Sequence, residues 1–476
     1  MQRLYRNTFV YFVGNIMTRF VGFFLLPLYT NVLTTEEFGS YTLLMAIYAI
    51  LNVLYQAGIF QGFTKFFYDE KTDTKRVFST TLNTIILFGF FIAVLLSLLN
   101  KPLISLFQIN QGLSSFFLIL FWLIFFDTLA YFGLHFLRTR QYAKIAVTYS
   151  LITSVCNLVL NIIFLVLLNM NILGILLAQG IANLLLLFLC LRHFKEYYQV
   201  LIDWLLLKRL MIFSLPLVIA GAFGIMMDVA DRFIINFYLD RSHLGIYGVA
   251  YKLGLLMNVF VIAFRTAYLP YFLNLKKTEN YNHELKQTLI KLVGLMSILF
   301  LAVTLFLRYL FSIQFNGFYL LNPDYISAAE IAPFILLAYV FNGFAAFFSL
   351  GPYLSGKSYH FIISDLIGFS VNIILNILMI PIFGIMGAAL ATLVGFYTAS
   401  MYMYFIFTKE MKENLIGIEN ILIIIGCLIS LYASSVADLF IVRSLLLLLF
   451  IIYCLRISRM SIKSFFRLIT KDRKLS

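Results

Sequence analysis

The chain has 476 residues, of which 62% are hydrophobic and 12% charged, with a formal net charge of +14. A soluble domain carries about 25% charged and about 45–50% apolar residues, so this composition excludes a water-soluble globular fold and makes the bilayer the solvent. The 52 Phe and 29 Tyr suit lipid-facing surfaces and interfacial aromatic belts.

A bilayer core takes about 20 apolar residues per helix. On that measure the chain reads as fourteen spans: 8–32, 38–63, 79–99, 114–137, 146–168, 171–192, 211–238, 244–269, 290–311, 328–351, 359–380, 384–407, 418–436 and 439–456. The runs are continuous rather than alternating, so strands are not expected. The first run is too long for a signal-peptide core and no small-residue cleavage site follows it, so it is expected to be a retained span. Cys156, Cys190, Cys427 and Cys454 lie inside apolar runs without metal-ligand spacing, and packing roles are expected for them. No metal site, no cofactor and no Gly-rich nucleotide loop is read from the chain.

With the N-terminus in the cytoplasm, the predicted cytoplasmic segments hold 27 of the 35 Lys and Arg and the outer segments hold four: Lys101, Arg241, Arg308 and Arg443. This positive-inside bias puts both termini in the cytoplasm and requires an even number of spans. The basic tail from Arg456 is expected to lie on anionic lipid, so no nucleic-acid partner is needed to explain it.

The halves repeat. Leu33–Tyr41 aligns with Leu239–Tyr247, bringing Gly39 onto Gly245; Asn157 and Asn161 align with Asn372 and Asn376; Gly174–Ala178 aligns with Gly387–Ala391. Spans 1–6 thus read as a duplicate of spans 7–12. Because six is even, both copies face the same way, and the axis relating them runs along the membrane normal. The expected fold is an all-α membrane protein of about fourteen transmembrane helices. Two six-helix lobes (1–200 and 201–412) are related by a pseudo-two-fold axis, and 413–476 adds two helices and the tail. Parallel bundles of this kind hold substrate between them and rock to give alternating access.

A Lys or Arg at a span centre costs about 2.5–3.5 kcal/mol and must face water or a partner. Arg19 lies about 16 Å along the first span, too deep for easy snorkelling, with Asn15 on the same face. It reads as a ligand for an anionic group such as phosphate, or as half of a buried ion pair. Lys252 in the eighth span carries the same two readings, and Arg265 near the end of that span can snorkel. Asp228 and Arg232, four residues apart, are expected to pair, leaving Asp231 for Lys252, Arg19 or a coupling proton. Asp127 and Asp365 are isolated intramembrane acids, each a candidate proton or cation site. If local pairs neutralise two of the acids, a cavity holding Arg19 and Lys252 stays cationic and attracts a diphosphate.

Leu33-Thr-Thr-Glu-Glu-Phe-Gly-Ser-Tyr41, Asp231-Arg232-Phe-Ile-Ile, Leu244-Gly-Ile-Tyr-Gly-Val-Ala-Tyr-Lys252, Pro216 and Ala267-Tyr-Leu-Pro270 resemble the O-antigen and capsule flippases. These form the polysaccharide-transporter branch of the multidrug/oligosaccharidyl-lipid/polysaccharide exporter superfamily. The resemblance implies a bacterial inner-membrane flippase, not an enzyme. It would move an undecaprenyl-diphosphate-linked oligosaccharide to the outer leaflet, among membrane lipids and beside the polymerase and glycosyltransferases of its pathway. It also implies basic residues in a central cavity, and Arg19 and Lys252 match those positions. Lipid II flippases carry more arginines there; no base lies between Phe38 and Phe63, which argues against a peptidoglycan precursor. The alternative is a cation-coupled multidrug-type exporter. A membrane glycosyltransferase or polymerase would need a larger outer segment with clustered carboxylates.

Overall fold

The computed structural model describes residues 14, 17–18, 21–69, 72–102, 114–275, 281–357, 359–412, 415–436 and 440–457. Arg19, Asn15 and most of the basic tail therefore lie outside the described residues. In chain order the helices are α1 (Val21–Val32), α2 (Thr35–Gln56), α3 (Ile59–Phe67), α4 (Thr74–Leu98), α5 (Ser114–Thr139), α6 (Ala143–Ile162), α7 (Asn171–Phe194), α8 (Trp204–Tyr238), α9 (Arg241–Leu275), α10 (Tyr281–Phe306), α11 (Ala328–Phe348), α12 (Leu350–Leu354), α13 (Tyr359–Met411), α14 (Ile418–Val436) and α15 (Phe440–Ile457). Among the described residues ten helices are long and apolar enough to cross a membrane. One of these, α13, is two spans joined at Gly384, whose φ of 60° and ψ of −142° are open to glycine and not to residues with a Cβ. With α1, α8 and α14 included, each of the fourteen predicted spans has its helix.

Two differences from the sequence reading have local causes. The predicted span 38–63 is broken: α2 ends at Gln56, and Ala57 and Gly58 take positive φ values of 42° and 65° before α3 begins. A Cβ on Gly58 would fall 1.9 Å from Val218 Cγ2 on α8, so the break is also a tight crossing. Between α10 and α11, Gln314–Phe315 and Phe318–Tyr319 form a small antiparallel hairpin. Its turn is Asn316-Gly317, both at positive φ, the signature of a two-residue hairpin turn.

The chain divides into two compact units, residues 1–249 with 372–388, and residues 250–371 with 389–476. In the first, α5 packs along α4 and α7. Gly133 lets α5 approach Cys190 on α7, where a Cβ would lie 2.7 Å from the Cys190 Cβ. At that end of the bundle, rings from five segments interlock, with centroids 4.6 Å apart for Phe78–Phe136, 5.1 Å for Phe78–Phe194, 5.2 Å for Phe63–Phe132 and 5.2 Å for Phe136–Tyr197. Tilted and edge-on pairs of this kind add about 0.5–1.5 kcal/mol each beyond the area they bury. In the second unit, α14 and α15 pack on α10, and the four cysteines of the chain are free thiols.

The repeat has a local structural meaning at the first two of its matched segments. Thr34 caps α2 by accepting the Glu37 amide at 3.2 Å, with Glu37 completing a capping box. Its counterpart Asp240 accepts the His243 amide at 2.9 Å at the start of α9. Gly39 and Gly245 are packed against each other's helices: a Cβ on Gly39 would meet the Arg241 carbonyl at 1.9 Å, and one on Gly245 the Thr35 carbonyl at 2.0 Å. Asn161 donates to the Asn157 carbonyl at 2.8 Å, and Asn376 makes the same bond to Asn372 at 2.9 Å.

Candidate functional site

Asp127 sits mid-way along α5 inside a collar of neutral donors. Tyr48 and Asn52, one turn apart on α2, both donate to its Oδ2, Asn52 at 3.1 Å. Asn183 on α7 donates to Oδ1 at 3.0 Å. One turn further along α2, Gln56 donates to Asn52 Oδ1, so hydrogen bonds run without a gap from the carboxylate to the α2–α3 break. Among the described residues no Lys, Arg or His pairs with Asp127. Donors aimed at both oxygens stabilise a charge without a counter-ion, and a carboxylate held in this way can accept a proton or a small cation.

Asp231 on α8 is fully buried. The Arg232 guanidinium meets its Oδ1 at 3.0 Å, and the Tyr247 hydroxyl donates to its Oδ2. Arg232 also donates to the backbone carbonyl of Asp228. The salt bridge of Arg232 is with Asp231, its chain neighbour, and its hydrogen bond to Asp228 goes to that residue's backbone carbonyl.

In the second unit, Lys252 is half-buried on α9, beside Tyr251, whose hydroxyl accepts from Tyr339 on α11 at 3.0 Å. Arg265, exposed near the other end of α9, is within electrostatic reach of Asp365 on α13. Lys252 and Arg265 are thirteen residues apart on one helix, about 20 Å along it and on nearly opposite faces. They do not converge on one phosphate.

Sequence reasoning passed over a cleft of about 480 Å³ at the α2–α3 break, lined by Gln56, Phe60, Gln61, Thr64 and Lys65, by Tyr131 and His135 of α5, and by Phe213 of α8. The Lys65 ammonium lies 3.9 Å from the centre of the Phe213 ring. His135 Nε2 lies 2.8 Å from Thr64 Oγ1, and the imidazole stacks on Phe60 at 5.4 Å between centroids. Lys65 counts as a loop cation and His135 as an interfacial residue when the chain is read as sequence. The polar stripe Tyr48, Asn52, Gln56 at four-residue spacing was the available signal.

This arrangement of spanning helices and buried polar clusters is that of an all-α membrane protein. Solved structures share it over most of their length. The lipid II flippase MurJ, in an inward closed conformation, matches with a TM-score of 0.73 at 21% identity, covering 96% of this chain and 99% of that chain. An inward-facing multidrug resistance MATE family transporter of the MOP superfamily matches with a TM-score of 0.66 at 14% identity, covering 83% and 96%. The profile of the family described as Polysaccharide biosynthesis protein matches residues 4–276, and the chain belongs to that family. The resemblance to polysaccharide transporters read from the sequence holds.

A protein of the Lsg locus of Haemophilus influenzae is 25% identical over 295 residues, 57% of this chain and 66% of its own length. A membrane protein of Methanocaldococcus jannaschii is 35% identical over 118 residues, 24% of this chain and 22% of its own. The chain thus spans just under two thirds of the first of these relatives and about a fifth of the second.

Proposed function

We propose that this protein is a flippase that carries an undecaprenyl-diphosphate-linked oligosaccharide from the cytoplasmic to the outer leaflet of a bacterial inner membrane by alternating access. The family match across residues 4–276 carries the reading. Support comes from the reach of the fold likeness, 96% of this chain for the flippase structure against 83% for the exporter. In this reading residues 1–200 and 201–412 are the lobes that rock, 413–476 adds the last helices and the tail, and both termini are cytoplasmic. Arg19, Asn15 and Lys252 receive the diphosphate, and Arg265, on another face of α9 near its end, meets the headgroup at the membrane surface. The polymerase and glycosyltransferases of the pathway are its functional partners.

Asp127 is the coupling group best supported by geometry, because it has neutral donors at both oxygens. Asp231, in contact with Arg232, acts as a structural anchor, while Asp228 and Asp365 stand as secondary candidates. The second reading, a cation-coupled small-molecule exporter, is favoured by the MATE likeness. Purified protein in liposomes separates the two. The flippase moves undecaprenyl-diphosphate-linked oligosaccharide to the opposite leaflet, with the rate set by an imposed pH or Na⁺ gradient; efflux of cationic dyes without movement of the lipid overturns the reading.

A further inference from the structure

We infer that the cleft at the α2–α3 break is a subsite for the sugar-phosphate headgroup of the cargo. This inference rests on the flippase reading and deepens it. The cleft lies wholly within one unit and takes its walls from α2, α3, α5 and α8. Its volume of about 480 Å³ falls in the range of roughly 300–1,000 Å³ that encloses a small ligand.

Its chemistry selects a phosphorylated saccharide. The lining holds no carboxylate, and its one cation, Lys65, makes no ion pair among the described residues. The Phe213 ring beneath Lys65 holds the ammonium at the cleft wall without neutralising it. Gln61 makes no side-chain hydrogen bond among the described residues, so its amide is open to a ligand's hydroxyls. The Thr64–His135 pair offers a second polar edge. Phe60, Tyr131 and Phe213 supply aromatic faces of the kind on which a sugar ring rests. Lys65 and His135 both lie within a turn of the ends of α3 and α5, which the positive-inside distribution places at the cytoplasmic surface. A lipid-linked headgroup arriving in the inner leaflet enters at that depth.

The backbone break is what assembles these groups. An unbroken helix through Ala57 and Gly58 would rotate Gln61 and Lys65 onto a different face from the one they share with Gln56. Two residues in the left-handed region redirect α3 so that both turns face α5 and α8.

The test uses the full chain in nanodiscs with Gln61→Cys in the cleft, alkylated by a membrane-impermeant maleimide. The probes are undecaprenyl diphosphate bearing one hexose, undecaprenyl diphosphate without sugar, and soluble hexose 1-phosphate. The sugar-bearing lipid slows alkylation tenfold or more. Soluble hexose 1-phosphate protects at higher concentration, and the sugarless lipid protects weakly. In liposomes Lys65→Gln raises the concentration of sugar-bearing lipid needed for half-maximal transport at least fivefold, with the melting temperature unchanged; Lys144→Gln, an exposed cation outside the cleft, leaves that concentration as it is in the parent chain. Equal protection by the sugarless lipid overturns the saccharide assignment. Absence of protection in protein that still transports overturns the subsite and leaves the flippase standing. Failure of the parent chain to transport any lipid-linked sugar overturns both.

Discussion

At the residue scale, the informative contrast is between Asp127 and Asp231. Each is an acid inside an apolar helix, where burying an isolated charge is prohibitive. Asp231 is accommodated by a guanidinium at 3.0 Å and a tyrosine hydroxyl, Asp127 by a tyrosine and two amides. Removing the charge at Asp127 therefore strands no cation. Asp127→Asn preserves shape, and the Asn183 amide can turn to face the new side chain, so a stability loss of about 1 kcal/mol is expected, at the low end for a disturbed buried hydrogen bond. If Asp127 carries the coupling ion, the same change abolishes stimulation of transport by an imposed gradient while leaving gradient-independent exchange. A melting curve and a liposome assay with and without the gradient read the two effects separately. Isolated acids in apolar runs were legible in the sequence. Their collars were not, because Tyr48 and Asn52 on one span and Asn183 on another are far from Asp127 in sequence, and only the fold brings them to one carboxylate.

At the element scale, the duplicated segments earn their similarity through backbone geometry. Gly39→Ala places a methyl group 1.9 Å from the Arg241 carbonyl. Backbone cannot yield as a side-chain tip can, so α2 and α9 must separate. A loss of about 1–3 kcal/mol or more is expected, read as a fall in melting temperature, with Gly245→Ala behaving alike and the double variant less than additive because both relieve one crossing. The caps predict a smaller effect. Asp240→Ala removes the acceptor for the His243 amide and costs about 1 kcal/mol. The His243 amide, and then its imidazole, hold the Asp240 carboxyl below the usual range. A carboxyl lowered by folding contributes stability above its unfolded pKa of about 3.9 and loses it as pH falls through the lower folded value. The wild-type advantage over Asp240→Ala is expected to be flat near neutrality and to shrink in acid, modestly, since the side chain is 65% exposed. The α2–α3 break was hidden because Ala57-Gly58 sits in a stretch, 38–63, that has no Pro or charged residue and the length of a single span. The hairpin carried a visible Asn-Gly signal, but strands of two residues are too short to show an alternating pattern.

For the whole molecule, span number and order were legible because bilayer thickness alone sets the length of each apolar run. Orientation rests on the distribution of Lys and Arg. It predicts that a membrane-impermeant maleimide added to intact spheroplasts labels Asn316→Cys in the exposed hairpin turn and spares Lys144→Cys until the membrane is opened; the reverse pattern inverts the protein. Cavity geometry was not legible, since composition reports how much charge is buried but not which helices converge on it. A continuous helix of the 53 residues from Tyr359 to Met411 would be a rod about 80 Å long, against a hydrocarbon layer of about 30 Å. No tilt reconciles those lengths. The fit of this segment to its solvent depends on one position, Gly384, lacking a side chain, and everything C-terminal to it reaches its side of the membrane by way of that missing carbon.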